Sequence, residues 1–195
     1  GKISLLIDIQ NNIKAQQSAG YCRWATIENL KRIADTSNFL KEHGIGSYEE
    51  LLDRCEVASA SAARLKADLR DTGAKIDELA LKMKHVAAYR QLKPIYDRYK
   101  ASRDKEKFLR GHESEIILFE AAARECKRLG AVPLPATERM QAEIDELNAR
   151  KAILKAELQK AQRKEQDYAA MRQNVEDFLS PPQPERERKK NVELE

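Results

Sequence analysis

Two stretches of this chain place their seam residues at alternating steps of four and three positions. The first begins at Leu51 and ends at Val86, and the second begins at Met140 and ends at Val175. This spacing is typical of the a and d positions of a coiled-coil helix. Ala, Glu, Lys, Arg and Leu together make up more than half of the chain, which also favours long helices. We therefore predict an all-α fold: a long intramolecular antiparallel coiled coil with a small helical tip and a helical base.

The equal length of the two runs predicts their register. Aligning the run ends pairs Leu51 with Val175 and, further along, Ala58 with Tyr168. Small residues on one helix then oppose large residues on the other, as a close-packed seam requires. At 1.5 Å per residue, the paired helices would extend over roughly 52 Å.

Three polar residues interrupt the second run, at Lys151, Glu165 and Arg172. In one interpretation they specify the register of the coiled coil while their long side chains reach out to water. In the other they mark a flexible joint or a site for a partner. The sequence leaves both interpretations open.

Helix start and stop signals divide the chain into five segments. Gly44 and Gly130 mark helix ends, and Ser47 with Glu50 forms a capping box at the start of the outgoing helix. Pro94 is expected to interrupt or kink that helix. The predicted segments are a helical base (1–46), the outgoing coiled-coil helix (47–92), a helical tip (93–136), the returning coiled-coil helix (137–179) and a disordered tail (180–195).

Shorter helices are expected in the base and in the tip. The base has a first helix over 3–17 and a second from Tyr21 to Glu42. In the tip, Gly111 is expected to separate a short helix from a longer one, and Thr137 is the predicted cap of the returning helix. The expected buried face of the second base helix consists of Trp24, Ile27, Leu30, Ala34 and Leu40.

The positive charge of the chain is concentrated in one place. The stretch from Tyr89 to Arg110 contains eight Lys or Arg and three Asp or Glu, whereas the rest of the chain is close to neutral. Lysine and arginine bind phosphates by releasing counterions, so this stretch is the candidate nucleic-acid site. The residues predicted to contact nucleic acid are Arg98, Lys100, Arg103, Lys105, Lys107 and Arg110.

Four aromatic residues, Tyr89, Tyr96, Tyr99 and Phe108, are interleaved with these cations. If their rings are exposed, they could stack on nucleic-acid bases. In the competing interpretation, the rings pack inward to cover the end of the coiled coil, and the charges form an ordinary solvated face.

No residue pattern in the chain predicts catalysis, a metal site or a cofactor. The three histidines are isolated and form no metal-binding spacing, and neither of the common glycine-rich phosphate loops occurs. No apolar run is long enough to span a membrane. The odd, scattered cysteines, Cys22, Cys55 and Cys126, favour reduced thiols in a cytoplasmic setting.

Three short sequences carry a family resemblance: SLLIDIQ, GYCRWA and HESEIILFEAA. They resemble the C-terminal helical region of relaxases, the mobilisation nucleases of Gram-positive conjugative or mobilisable elements such as plasmids and transposons. The resemblance covers residues 2 to about 179. It implies a region of a DNA-nicking enzyme that lacks the histidine cluster and nucleophilic tyrosine of the nuclease domain, so no catalytic residue is assigned here.

The resemblance and the charge pattern lead to one main hypothesis and two alternatives. The main hypothesis is a non-catalytic module that supports DNA mobilisation and conjugation, as a monomer that binds DNA non-specifically through its basic tip or binds relaxosome or coupling proteins. The first alternative is a pure protein–protein scaffold or spacer. The second is an arm fragment of a coiled-coil protein of the chromosome-maintenance type.

Overall fold

A computed structural model describes residues 4–18 and 27–180 of the chain. This described part is mostly α-helical and contains no strand, so the all-α prediction is confirmed. The helices are α1 (Ser4–Ser18), α2 (Ile27–Glu42), α3 (Tyr48–Ala101), α4 (Lys105–Arg128) and α5 (Thr137–Leu179). The long helix α3 packs against α4 and α5 as the predicted helical hairpin. The predicted disordered tail, apart from Ser180, lies outside the described residues.

The chain divides into two units. The first unit comprises residues 1–62 and 160–195, and the second comprises residues 63–159. Both long helices, α3 and α5, contribute residues to each unit.

The heptad seam is buried as predicted. Every position of both runs is buried or half-buried except Arg172, which is exposed and forms an ion pair with Glu176. In the first unit the seam residues Leu51 and Val175 are fully buried. Because burial follows the four-three spacing so closely, the hydrophobic effect along this seam is the main term that holds the two helices together.

Side-chain contacts confirm the antiparallel register to within one helical turn. In the first unit, the thiol of Cys55 lies 3.5 Å from the backbone oxygen of Tyr168. In the second unit, Arg90 donates a 3.0 Å hydrogen bond to the hydroxyl of Thr137. The predicted alignment places each of these pairs less than a turn from its observed partner.

Both short helices that precede a long helix end in the same glycine motif. Gly44 has φ +62°, and the next amide, that of Ile45, donates back to the oxygen of Leu40 at 2.9 Å. Gly130 has φ +66°, and the amide of Ala131 donates to the oxygen of Cys126 at 2.8 Å. Only glycine adopts this conformation at no steric cost, which is why both ends were predictable from the sequence.

The capping box at the start of α3 is confirmed with one change. Ser47 Oγ accepts a 3.1 Å hydrogen bond from the amide of Glu50, as predicted. The carboxylate of Glu50 reaches back one residue further than expected and accepts a 2.7 Å bond from the amide of Gly46. The amide of Gly46, just before the helix, and the amide of Glu50, in its first turn, therefore both have a hydrogen-bond acceptor.

The buried face of α2 differs from the predicted one. Of the predicted face, Leu40 is buried, but Ile27 is 86% exposed and Leu30 is 51% exposed. Thr36, which was not predicted, is buried. Trp24 lies outside the described residues. The orientation of α2 follows from Arg32. Its Nη2 donates hydrogen bonds of 2.7 Å to Asn174 and to Asp177, both on α5. Contacts between helices thus determined the orientation of α2.

The outgoing helix α3 does not end near Leu92, as was predicted, but continues through Pro94 to Ala101. Proline inside a helix removes one backbone donor and crowds the preceding turn, at a cost of about 3 kcal/mol. Beyond the proline, Tyr96 stacks on Phe119 of α4 with ring centroids 4.2 Å apart. This packing stabilises the helical turns that the proline would otherwise disfavour.

Two predicted positions in the second unit are shifted by one residue. The helix α4 contains a kink at His112, with φ −142° and ψ 24°, rather than a break at Gly111. The first backbone bond of α5 runs from Met140 to Ala136, so Ala136 is the cap and Thr137 is the first helical residue. The hydroxyl of Thr137 accepts from Arg90 and does not cap the helix.

Candidate nucleic-acid interface at the turn between α3 and α4

The turn between α3 and α4 is short and held by its own hydrogen bonds. The amide of Ser102 donates to the oxygen of Tyr99 at 3.2 Å, and the hydroxyl of Ser102 donates to the oxygen of Asp104 at 3.0 Å. Asp104 caps α4, because its Oδ1 accepts a 3.0 Å bond from the amide of Lys107. The turn therefore brings the last turn of α3 and the first turns of α4 together at one end of the second unit.

All six residues predicted to contact nucleic acid are exposed around this turn. Two lie in the last turns of α3, one lies in the turn itself and three lie at the start of α4. We call this set the basic tip: Arg98, Lys100, Arg103, Lys105, Lys107 and Arg110. None of these side chains forms a salt bridge within the described part of the chain. Lys100 alone has a ring contact, with Nζ 5.4 Å from the centroid of Tyr96.

Two nearby cations are occupied by other contacts. Lys93 binds both carboxylate oxygens of Asp97, at 2.8 and 2.9 Å. The hydrogen bond that Lys93 donates to this carboxylate raises the pKa of the Lys93 amine. Arg90 donates to Thr137 and to the backbone oxygen of Pro135 at 2.8 Å, which ties α3 to the start of α5. These two cations stabilise the local structure and are less available to a ligand.

The four aromatic residues of the tip pack inward, which contradicts the idea that they are exposed for base stacking. Their rings are half-buried and form a chain of contacts with α4. Tyr89 contacts Phe119 with centroids 4.7 Å apart, and Tyr99 contacts Phe108 at 6.3 Å. The rings are amphipathic and bury their apolar faces against α4 instead of extending into water.

The kink at His112 belongs to the same cluster of rings. The imidazole lies against Phe108 with centroids 4.6 Å apart, and its Nδ1 is 3.6 Å from a carboxylate oxygen of Glu115. Lys107 and His112 line a shallow pocket of about 330 Å³ beside the capping residue Asp104. The kink thus places polar groups next to the exposed cations of the basic tip.

Other reactive groups do not converge in the described residues. No three His, Cys, Asp or Glu side chains lie close enough there to hold a metal ion. Cys55 and Cys126 are free thiols, and burial raises the pKa of each. Cys22 lies outside the described residues.

A second group of cations, which the sequence analysis did not predict, lies in the first unit. Lys160, Arg163 and Lys164 occupy one face of α5 next to the rings of Phe39 and His43. Arg163 and Lys164 follow Lys160 by three and four positions along α5, and this spacing is a signal that could have found the cations. The rings come from α2 and the turn after it, far away in sequence, so no local pattern predicts that they meet.

The described residues contain no helix with both the length and the apolar character needed to cross a membrane. No protein-family model, no curated protein and no solved structure matches this chain.

Proposed function

We propose that this chain is a non-catalytic helical module of a conjugative DNA relaxase and that it supports DNA mobilisation by contacting DNA through the basic tip. The observation that carries the DNA contact is six exposed cations without salt-bridge partners in the described part of the chain. The relaxase origin rests on the sequence resemblance alone. We further propose a cytoplasmic setting, in keeping with the free thiols of Cys55 and Cys126.

The acids near the basic tip are too few to cancel its positive charge. Of the three carboxylates between Tyr89 and Arg110, Asp97 already binds Lys93, and Asp104 caps α4. Within the described part of the chain, Glu106 is the only one of the three without such a contact. The local field is therefore positive, and a phosphate backbone would complement it.

The position of two lysines also favours a binding role. Lys105 and Lys107 lie in the first turn of α4, where the helix dipole favours negative side chains. A cation at this position costs roughly 0.3–1 kcal/mol of stability. A purely structural surface would gain by placing acids there, so we take the lysines to serve a ligand.

The inward packing of the aromatic residues determines the kind of DNA contact. Because the rings are half-buried against α4, the basic tip offers charges for phosphates and no free-standing stacking platform for bases. We therefore expect weak, sequence-independent binding that depends steeply on salt. We also expect the chain alone to have no nicking activity, and metal-dependent cleavage of transfer-origin DNA by the purified chain would contradict this.

A titration of labelled duplex DNA, followed by fluorescence anisotropy over a range of salt concentrations, tests the proposal. The variant Arg103→Glu/Lys105→Glu/Lys107→Glu should lose measurable binding at low salt. A milder variant with alanine at the same positions should reduce the salt slope by about one for each phosphate contact that is lost. Both variants should keep the helicity of the parent, because exposed charges contribute little to stability.

The matched control reverses three exposed cations of α5 in the same unit: Arg139→Glu/Arg150→Glu/Lys155→Glu. This control carries the same change in net charge, and it should keep most of the parent's affinity. Equal losses in the two variants would show that only net charge matters. If the parent chain has no affinity at low salt, the DNA contact is wrong.

A scaffold role is the second candidate, and one observation favours it. Ile117 and Leu118 are consecutive residues of α4 in the second unit, and they are 56% and 58% exposed. Exposed apolar side chains of this size can contribute to a protein interface. If the chain binds no DNA, substituting serine for both and measuring capture of a candidate relaxosome or coupling protein would test this role.

A further inference from the structure

A groove of about 470 Å³ in the first unit combines aromatic rings with cations. The end of α2 and the turn after it form one wall, and α5 forms the other. Among its described lining residues Asp167 is the only acid, and it makes no ion pair with the cations beside it. The groove is therefore positively charged and open to solvent.

The aromatic wall has a defined geometry. The imidazole of His43 stacks on the ring of Phe39 with centroids 4.0 Å apart. Tyr168 meets both rings edge-on, with centroid distances of 5.6 Å to His43 and 5.1 Å to Phe39. His43 Nδ1 lies 2.9 Å from the backbone oxygen of Phe39. Because that oxygen only accepts, Nδ1 carries the proton of this bond and the ring orientation is set. Tyr168 is buried, whereas His43 is exposed.

The cationic wall is made by one face of α5. Arg163 and Lys164 follow Lys160 by three and four positions, so both side chains are neighbours of Lys160 on the helix surface. All three are exposed, and none forms a salt bridge within the described residues. Lys164 Nζ lies 5.9 Å from the centroid of Tyr168, which directs it toward the rings.

We propose that this groove binds a nucleotide, with its phosphates among the three cations and its base against the exposed imidazole of His43. Phosphates bind lysine and arginine through charge-assisted hydrogen bonds, and a planar base stacks on an aromatic ring. The groove supplies both features side by side, which the basic tip does not. This site lies in the other unit and does not depend on the DNA contact proposed above.

A free nucleotide and a nucleotide within a single strand share this chemistry, and two probes distinguish them. Isothermal titration of the full chain uses ADP as one probe and a short oligothymidine as the other. Adenosine and pyrophosphate serve as partial ligands, because each carries only one of the two recognised groups. ADP and oligothymidine are the full ligands, and we expect at least one of them to bind. Adenosine and pyrophosphate should each bind at least tenfold more weakly than that full ligand.

The variant Lys160→Glu/Lys164→Glu should weaken binding of the full ligand at least tenfold. The control Lys31→Glu/Arg54→Glu changes the same net charge at exposed positions outside the groove and should bind like the parent. His43→Ala should weaken the binding of ADP more than that of pyrophosphate. His43→Phe, which keeps an aromatic ring, should lose much less affinity for ADP than His43→Ala. The charge-reversed basic tip should bind the nucleotide normally.

Three results would overturn the proposal. The first is that neither ADP nor oligothymidine binds the parent chain at millimolar concentration. The second is that the groove variant, shown by circular dichroism to be as helical as the parent, binds the ligand equally well. The third is that pyrophosphate binds as tightly as ADP, which would remove the role of the aromatic wall.

Discussion

Tyr48 donates a 2.6 Å hydrogen bond to Oε1 of Glu176 and thereby joins the first residue of α3 to the last turn of α5. Arg172 Nε donates to the same oxygen at 2.8 Å. The hydrogen bonds from Tyr48 and Arg172 lower the pKa of the Glu176 carboxyl from its usual 4.5, and the carboxylate in turn raises the pKa of the Tyr48 hydroxyl above 10.0. This contact closes the end of the seam in the first unit.

The lowered pKa of Glu176 predicts a loss of stability in acid. A carboxyl whose pKa is lower in the folded state stabilises the fold above its unfolded pKa, and the contribution is lost as the pH falls through the folded value. The free energy of unfolding of Glu176→Gln, measured with urea, should lie below that of the parent at neutral pH. The difference should shrink as the pH falls below 4.5.

The control for this prediction is Glu49→Gln, because Glu49 is exposed on the same end of α3 and its carboxylate forms no hydrogen bond within the described residues. The difference in the free energy of unfolding between this control and the parent should change much less over the same pH range. Tyr48→Phe tests the partner: the stability difference between parent and variant should fall above pH 10.0, where the tyrosine begins to ionise in the unfolded chain. A pH-independent difference for Glu176→Gln would contradict the assignment.

Two adjacent residues of α5 test the seam directly. Leu154 is a seam residue and is only 7% exposed, whereas its neighbour Ile153 is 61% exposed. Leu154→Ala should destabilise the chain by roughly 2–5 kcal/mol, because it removes buried methyl groups and leaves a cavity. Ile153→Ala should change stability by no more than about 0.5 kcal/mol. Thermal unfolding followed by circular dichroism measures both, and similar losses would mean that the seam faces another way.

Pro94 offers a route to a more stable chain. Because α3 continues through this exposed position, Pro94→Ala should restore the donor that bonds the oxygen of Arg90 and relieve the crowded turn. We expect a gain of about 2 kcal/mol, less than the full cost of a helical proline because alanine also makes the unfolded chain more flexible. The exposed neighbour Gln91→Ala is the control and should have little effect. A loss of stability in Pro94→Ala would mean that the helix breaks there.

Two substitutions at Asp104 test its helix cap and its negative charge separately. Asparagine also accepts a hydrogen bond at a helix cap, so Asp104→Asn should keep stability nearly unchanged while removing one negative charge. If the basic tip binds DNA, this variant should bind more tightly than the parent at low salt. Asp104→Ala removes the same charge but also the cap, and it should lose about 0.5–2 kcal/mol of stability. Anisotropy titrations measure the effect of the lost charge on DNA binding, and melting curves on the same samples measure the effect of the lost cap on stability. Unchanged or weaker DNA binding by Asp104→Asn would contradict DNA binding by the basic tip.

Several features were predictable because they are encoded by neighbouring residues. The seam from Leu51 to Val86 follows from a spacing that places apolar groups on one side of a helix. The helix ends at Gly44 and Gly130 follow from the freedom of glycine to adopt a positive φ. The exposure of the basic tip follows from the cost of burying unpaired charges. Each of these arguments uses only residues within a turn or two along the chain.

Other features were decided by residues that are distant in sequence. α3 continues past Pro94 because Tyr96 packs on Phe119, and this contact outweighs the local preference for a break. The aromatic residues of the tip turn inward because α4 offers them an apolar surface. The predicted face of α2 was wrong at Ile27 and Leu30, because Arg32 binds Asn174 on α5 and turns another side of the helix inward. In each case a contact between distant segments overrides the preference of the local segment.

The amino-acid sequence by itself therefore determined that this protein is helical, which residues form its seam, where its short helices end and where its exposed charge lies. Only the tertiary structure decided which side of α2 is buried, how far α3 extends and what surrounds the cations. The groove at Tyr168 shows the reason. His43 and Lys164 are far apart in the sequence, and antiparallel pairing of α3 with α5 is needed to bring the end of α2 against α5. Local sequence encodes periodicity and caps, whereas burial between distant segments determines which surfaces meet.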